Sequence, residues 1–169
     1  MFSNALVEQA AALLDACAAG GLKLAMAESC TGGLIAAVLT EVPGSSRVVD
    51  RGFVTYSNEA KAALLDVPAS LIAKHGAVSE PVVKAMAAGA LARSDADVVV
   101  AVTGVAGPGG GTPDKPVGLV HLATCRRGRP ARHLAAHFDG DRGAVREATV
   151  VRALEMLADQ VVGTHRPDA

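Results

Sequence analysis

Two short runs bring together residues able to do chemistry. Ala27-Glu28-Ser29-Cys30-Thr31-Gly32-Gly33 places a serine hydroxyl ahead of a glycine-rich turn, and Val54-Thr55-Tyr56-Ser57-Asn58-Glu59-Ala60-Lys61 adds a phenol and an amine. A serine hydroxyl is a weak nucleophile until a base takes its proton, and the base on offer is the Lys61 amine rather than an imidazole. An ordinary lysine titrates near ~10.4, so a depression of ~3 pKa units, equivalent to ~4 kcal/mol, is required. Burial among alanines can supply it. Tyr56, the only tyrosine, is placed to relay a proton or orient the amine. The N–H groups of Thr31, Gly32 and Gly33, read as the first turn of a helix, would hold the oxyanion of a tetrahedral intermediate.

Each residue also has a plainer reading. Ser29 or Thr31 can be a helix N-cap, Lys61 an exposed helix lysine, and Tyr56 a half-buried sheet residue. Cys30 is a rival nucleophile but has no histidine beside it in sequence, and it ranks below Ser29.

The loop from Gly104 to Thr112 follows a buried strand, where open α/β sheets place ligand loops. It lacks the GxGxxG spacing of a dinucleotide site, and Lys115 is followed by Pro116 rather than by the Ser or Thr of a P-loop. Gly104 and Gly107 are nonetheless candidate substrate contacts, as a lid or phosphate cradle, against a simple crossover loop. Thr103 ends the strand and could hydrogen-bond into the site. Arg142 and Arg146 lie one turn apart at a helix start, where a phosphate could be gripped; they can equally be surface arginines. His133 and His137 lie ~13 Å apart on a strand, too far to share a metal, and no metal site or cofactor is expected.

Length and composition bound the rest. The chain has 169 residues, half of them apolar, which suits one compact domain, assigned to residues 1–162 with 163–169 as a frayed tail. Three Phe, one Tyr and no Trp leave Ala, Val and Leu to build the core. A net charge of −1 and this shortage of aromatics disfavour nucleic acid as a partner. Three cysteines without CxxC spacing fit a reducing cytosol, and no apolar run is long enough to span a membrane. Small-residue helices make a homodimer or higher homo-oligomer plausible.

Apolar spacing predicts a helix over 4–19, a strand over 22–27, a helix over 31–40 and a strand over 48–56. Asn58 is expected to cap a helix to Leu65, with a further helical turn to His75. Ser79-Glu80-Pro81 opens a helix to Arg93. The run from Asp97 to Thr103 reads as a strand buried on both faces. Strands over 117–125 and 131–138 form a hairpin, and Asp141 caps a last helix to about Val161. The alternation implies an α/β fold: a three-layer αβα sandwich around a mixed, mostly parallel sheet.

The two opening runs, with Val42-Pro43-Gly44-Ser45-Ser46, Gly76-Ala77-Val78-Ser79, Thr103-Gly104-Val105-Ala106-Gly107-Pro108 and Lys115-Pro116-Val117-Gly118, resemble the CinA carboxy-terminal domain, the nicotinamide-nucleotide amidase family. The resemblance covers nearly the whole chain. It implies hydrolysis of the carboxamide of nicotinamide mononucleotide to nicotinate mononucleotide and ammonia, in pyridine-nucleotide salvage, without a metal. In that family the serine of the first run is the nucleophile, here Ser29, and the lysine and tyrosine of the second run, here Lys61 and Tyr56, assist it. Arg142 or the glycine-rich loop would hold the 5′-phosphate. Related proteins carry an amino-terminal domain ahead of this one, whose pyrophosphatase activity is not expected here. The competing expectation is a nucleotide-binding or competence/damage-related accessory module with little turnover; a third is an amidase for another small amide.

Overall fold

The computed structural model describes residues 2–163. In chain order the elements are α1 (Asn4–Ala19), β1 (Leu24–Glu28), α2 (Leu34–Glu41), β2 (Val49–Val54), α3 (Asn58–Leu65), α4 (Ala69–His75), α5 (Glu80–Ala92), β3 (Val98–Gly104), β4 (Leu119–Arg126), β5 (Arg132–His137) and α6 (Arg142–Val162). The strands form one sheet in the order β2-β1-β3-β4-β5. β1 pairs parallel with both β2 and β3, and β4 is antiparallel to both β3 and β5.

Alternation along the central strands explains the layers. On β1, Leu24 and Met26 face one core while Ala25 and Ala27 face the other; on β3, Val98, Val100 and Val102 separate in the same way from Val99 and Ala101. The first set meets α1, α2 and α6, and the second meets α5 with α3 and α4 outside it. The result is the expected sandwich, with helices covering both faces of the sheet. β1 and β3 are buried on both sides, which is why they read as near-continuous apolar runs.

Close packing on the α5 face depends on Gly89. A methyl group there would run into the Leu65 backbone carbonyl, which cannot swing aside as a flexible side chain would. Gly89→Ala is therefore expected to destabilise the fold by about 1–3 kcal/mol despite alanine's better helix propensity. Urea unfolding checks this, and an unchanged or raised midpoint would contradict it.

Several local expectations need correction. α2 begins at Leu34, not Thr31, because Gly32 and Gly33 have φ of 60° and 100° and a left-handed pair cannot belong to a right-handed helix. The cap of α3 is Ser57, whose Oγ accepts from the Ala60 N–H at 3.0 Å, and Asn58 is the first helical residue. Ser79 stands at the start of α5 without capping it; its hydroxyl donates to the Gly76 carbonyl at 2.8 Å. Asp141 caps α6 as expected, accepting from Ala144 N–H at 2.9 Å. Of the expected tail at 163–169, residues 164–169 lie outside the described residues, while Gly163 closes α6 at φ 74°. Among the described residues no helix is long and apolar enough to cross a membrane.

Candidate active site

The strand order places a reversal beside β1: the chain steps outward from β1 to β2, then returns to the opposite side of β1 as β3. Crevices outside the carboxyl ends of strands at such a reversal are where open α/β sheets bind ligands. Ser29 leaves β1 there, with its N–H bonded to the Val102 carbonyl of β3 at 3.1 Å. Thr55 leaves β2 with its N–H on the Glu28 carbonyl at 2.8 Å. Both sheet ladders thus run one step beyond their strands and fix the backbone on either side of the serine.

Lys61 enters this frame from the first turn of α3. It is 1% exposed, and its Nζ lies 3.0 Å from Ser29 Oγ and donates to the Thr55 carbonyl at 2.8 Å. A buried amine in apolar surroundings disfavours its own charge, and burial pushes the Lys61 pKa below its ordinary 10.5. Charge on Cys30 or Glu59 would oppose that shift. Burial raises the Cys30 thiol to about 11, so that sulfur is uncharged near neutral pH and is a poor rival to the serine. The surface-lysine alternative for Lys61 is excluded.

A cavity of about 240 Å³ opens over this pair, walled by Tyr56, Ala77, Thr103, Ala106 and Arg142. A larger groove of about 670 Å³ between α3 and α4 is lined mainly by alanines and Ile72, and offers no nucleophile. Among the described residues no cluster of three histidine, cysteine or carboxylate side chains could hold a metal ion.

The other expected site residues divide. The Tyr56 hydroxyl does not bond Ser29 or Lys61; it accepts from the Arg142 guanidinium at 2.8 Å, and Tyr56 is 59% exposed at the cavity mouth. Arg142 donates its other arm to the Gly107 carbonyl at 2.9 Å. Thr103 lines the cavity, with its hydroxyl donating to the Ala77 carbonyl at 3.0 Å. Gly104 is needed for close approach to β4, since a Cβ would stand 2.7 Å from Val120 Cγ2 and 2.9 Å from the Leu119 carbonyl. Gly107 has φ 80°. Arg146 is not free to grip a phosphate: it donates to the backbone carbonyls of Cys30 at 3.2 Å and Thr31 at 2.8 Å.

The expected oxyanion donors also change. Glu28, 1% exposed, turns its carboxylate onto the start of α2 and accepts from the N–H groups of Gly33, Ile35 and Ala36 at 3.0, 3.1 and 2.9 Å, and from the Thr31 hydroxyl at 2.6 Å. Gly32 N–H is spent on the Ser29 carbonyl at 3.1 Å. Gly32 and Gly33 therefore have no donor left for a substrate. No other residue among the described ones accepts a hydrogen bond from the N–H of Cys30 or of Thr31, and the Cys30 N–H faces only its own sulfur. Of these two residues only Cys30 lines the cavity.

Sequence reasoning missed the role of Glu28, although an acidic residue just before a glycine turn and an apolar helix is a signal for a capping carboxylate. It also missed His121. Across β4 and β5 the Nδ1 of His121 lies 3.0 Å from the Nε2 of His133, which pairs there rather than with His137.

A sequence profile described as the CinA C-terminal domain matches residues 6–161. A CinA-like protein of Akkermansia muciniphila is 56% identical over 138 residues, covering 82% of this chain and 33% of that protein. One from Mycolicibacterium vanbaalenii is 52% identical over 143 residues, covering 85% and 34%. This chain spans about a third of the length of such relatives. Among solved structures, the competence/damage inducible protein CihA from Agrobacterium tumefaciens superposes with a TM-score of 0.91 at 51% identity, covering 93% of this chain and 96% of that one. A CinA superfamily protein from Escherichia coli does so at 0.88 and 35%, covering 95% and 94%. With the profile spanning nearly the whole sequence and relatives above half identity, the chain belongs to the CinA C-terminal domain family.

Proposed function

We propose that this chain is an amidohydrolase that converts nicotinamide mononucleotide to nicotinate mononucleotide and ammonia through a Ser29–Lys61 dyad. The observation that carries the reading is the buried amine 3.0 Å from the serine hydroxyl, with its pKa lowered by burial. The family resemblance supports the substrate. Its cationic pyridinium ring draws electrons from the carboxamide carbon, so modest general-base assistance suffices.

Neutral Lys61 donates one N–H to the Thr55 carbonyl and turns its lone pair toward Ser29 Oγ. It takes the hydroxyl proton as Oγ attacks the carboxamide carbon, leaving the charge on the former carbonyl oxygen. The Cys30 N–H, from the residue after the nucleophile, is the donor best placed to meet that charge. Collapse of the intermediate breaks the C–N bond, and Lys61 returns its proton to the departing ammonia. Water then attacks the acyl-serine, giving its proton to Lys61, which passes it back to Ser29 Oγ. Tyr56 serves through Arg142 at the mouth, where that guanidinium is available to the ribose phosphate once substrate displaces its contact with the phenol.

Purified protein given nicotinamide mononucleotide should release one ammonia per nicotinate mononucleotide formed, with no added metal, and Ser29→Ala should reduce this to background. Tight nucleotide binding without ammonia release would favour the accessory-module alternative instead.

The pH dependence follows from the direction of the Lys61 shift. Protonation removes the base, so kcat/KM falls as pH drops through the Lys61 pKa of the free protein, which burial holds below 10.5. The same shift acts on stability. Between the folded pKa and 10.5 the unfolded chain binds a proton that the folded one does not, so Lys61 makes stability rise with pH across that window. In Lys61→Met that contribution should vanish, as urea unfolding at paired pH values would show; an unchanged slope would contradict it.

A further inference from the structure

Arg146 extends from the second turn of α6 to the turn after the nucleophile and ends on backbone carbonyls alone. A trans peptide is planar, so its C=O and the following N–H point in opposite directions. Arg146 holds the Thr31 carbonyl, and the Gly32 N–H of the same peptide unit points away from it, onto the Ser29 carbonyl at 3.1 Å. The Ser29 carbonyl in turn shares its plane with the Cys30 N–H, a donor of a cavity-lining residue that no other residue accepts. A second arm of the guanidinium fixes the other side of Cys30 by its carbonyl.

The charge on Arg146 is thus connected to the Cys30 N–H through two aligned peptide units. A hydrogen-bonded chain of this kind both orients its last donor and polarises it. The φ of 60° at Gly32 sets the course of the chain beyond this turn, toward Gly33, in a region that favours glycine.

We propose that Arg146 is a positioning residue that aims and strengthens the Cys30 N–H as the oxyanion donor, acting through the Thr31–Gly32 and Ser29–Cys30 peptide planes. The proposal rests on the serine-hydrolase reading of this site and touches neither the base nor the substrate's phosphate. Its effect should therefore fall on the chemical step. In the Arg146→Gln protein, kcat for ammonia release from nicotinamide mononucleotide should fall about 10–100-fold, short of the 10²–10³ cost of deleting a donor outright. KM should stay within about twofold, and the pH at half-maximal kcat should not move. Arg146→Lys, which keeps the charge but cannot grip two carbonyls, should lie between Arg146→Gln and wild type.

Labelling of Ser29 by phenylmethylsulfonyl fluoride, followed by intact mass, separates this proposal from the choice of substrate. Sulfonylation also needs the serine and an oxyanion donor but no nucleotide. If wild type is labelled at Ser29 and folded Arg146→Gln is labelled at least tenfold more slowly, the proposal stands even where nicotinamide mononucleotide is not turned over. Equal labelling rates in the two proteins overturn it, as does a lower kcat matched by an equal rise in KM. Should Arg146→Gln not fold, Arg146→Lys decides: slower labelling supports the proposal and a wild-type rate overturns it.

Discussion

Lys61→Met should remain folded and release ammonia from nicotinamide mononucleotide about 10³–10⁴-fold more slowly than wild type, the upper range for loss of a general base. Methionine occupies similar buried space without an amine, so the cavity keeps its shape while the Ser29 hydroxyl loses its proton acceptor. The substitution also removes a polar group held in a dry site. Functional groups kept under such conditions are commonly a burden on stability. The melting temperature is therefore expected to stay within a few degrees of wild type or to rise, offset only by the unpaired Thr55 carbonyl. Ser29→Ala should lose as much activity as Lys61→Met, and the double variant little more than either, because two groups sharing one proton transfer do not contribute additively. Losses that multiply in the double variant would show the residues acting separately.

Glu28→Ala is expected to produce the largest loss of stability. The Glu28 carboxylate, itself 1% exposed, satisfies three N–H groups at the start of α2 and the Thr31 hydroxyl; the bonds to Ile35 and Thr31 are buried and those to Gly33 and Ala36 are part-buried. Removing it leaves these donors without acceptors, and alanine cannot fill the space. A cost of about 3–5 kcal/mol follows, allowing for some entry of water. That corresponds to a fall in melting temperature of about 6–20 °C for a domain of this size. Glu28→Gln, which retains one carbonyl oxygen but presents an amide donor to groups that also donate, should fall between the two. A Glu28→Ala protein melting within about 2 °C of wild type would mean that solvent already satisfies these groups.

Ser29 and Lys61 were legible from their types because a serine at a strand end and a lysine in a helix soon afterwards are joined by one parallel β-α-β step. Such a step brings the ends of adjacent strands together, and β1 and β2 pair directly. The layers were legible because helix and strand patterns alternate along the chain: helical spacing marks α1, cap residues mark the starts of α5 and α6, and a continuous apolar run marks β3 as buried on both faces. The failures have a common origin in backbone hydrogen bonding. Glu28 and Arg146 act on N–H and C=O groups, which carry no residue identity, and Arg146 lies 115 positions from Thr31. Two consecutive glycines at positive φ set the course of that turn, and side-chain periodicity does not record it. The motif places Tyr56 beside the amine in sequence, whereas its side chain leaves the strand end outward and meets Arg142 from the far end of the chain.

The acyl-serine can be intercepted directly by adding hydroxylamine during turnover of nicotinamide mononucleotide. Attack of its nitrogen on the ester frees Ser29 and gives the hydroxamate of nicotinate mononucleotide in place of the acid. The hydroxamate share should rise with hydroxylamine concentration while ammonia release does not fall, and Ser29→Ala should form neither product above background. Ammonia released with the acid as sole product at every hydroxylamine concentration, or hydroxamate formed equally by Ser29→Ala, would contradict attack by the serine.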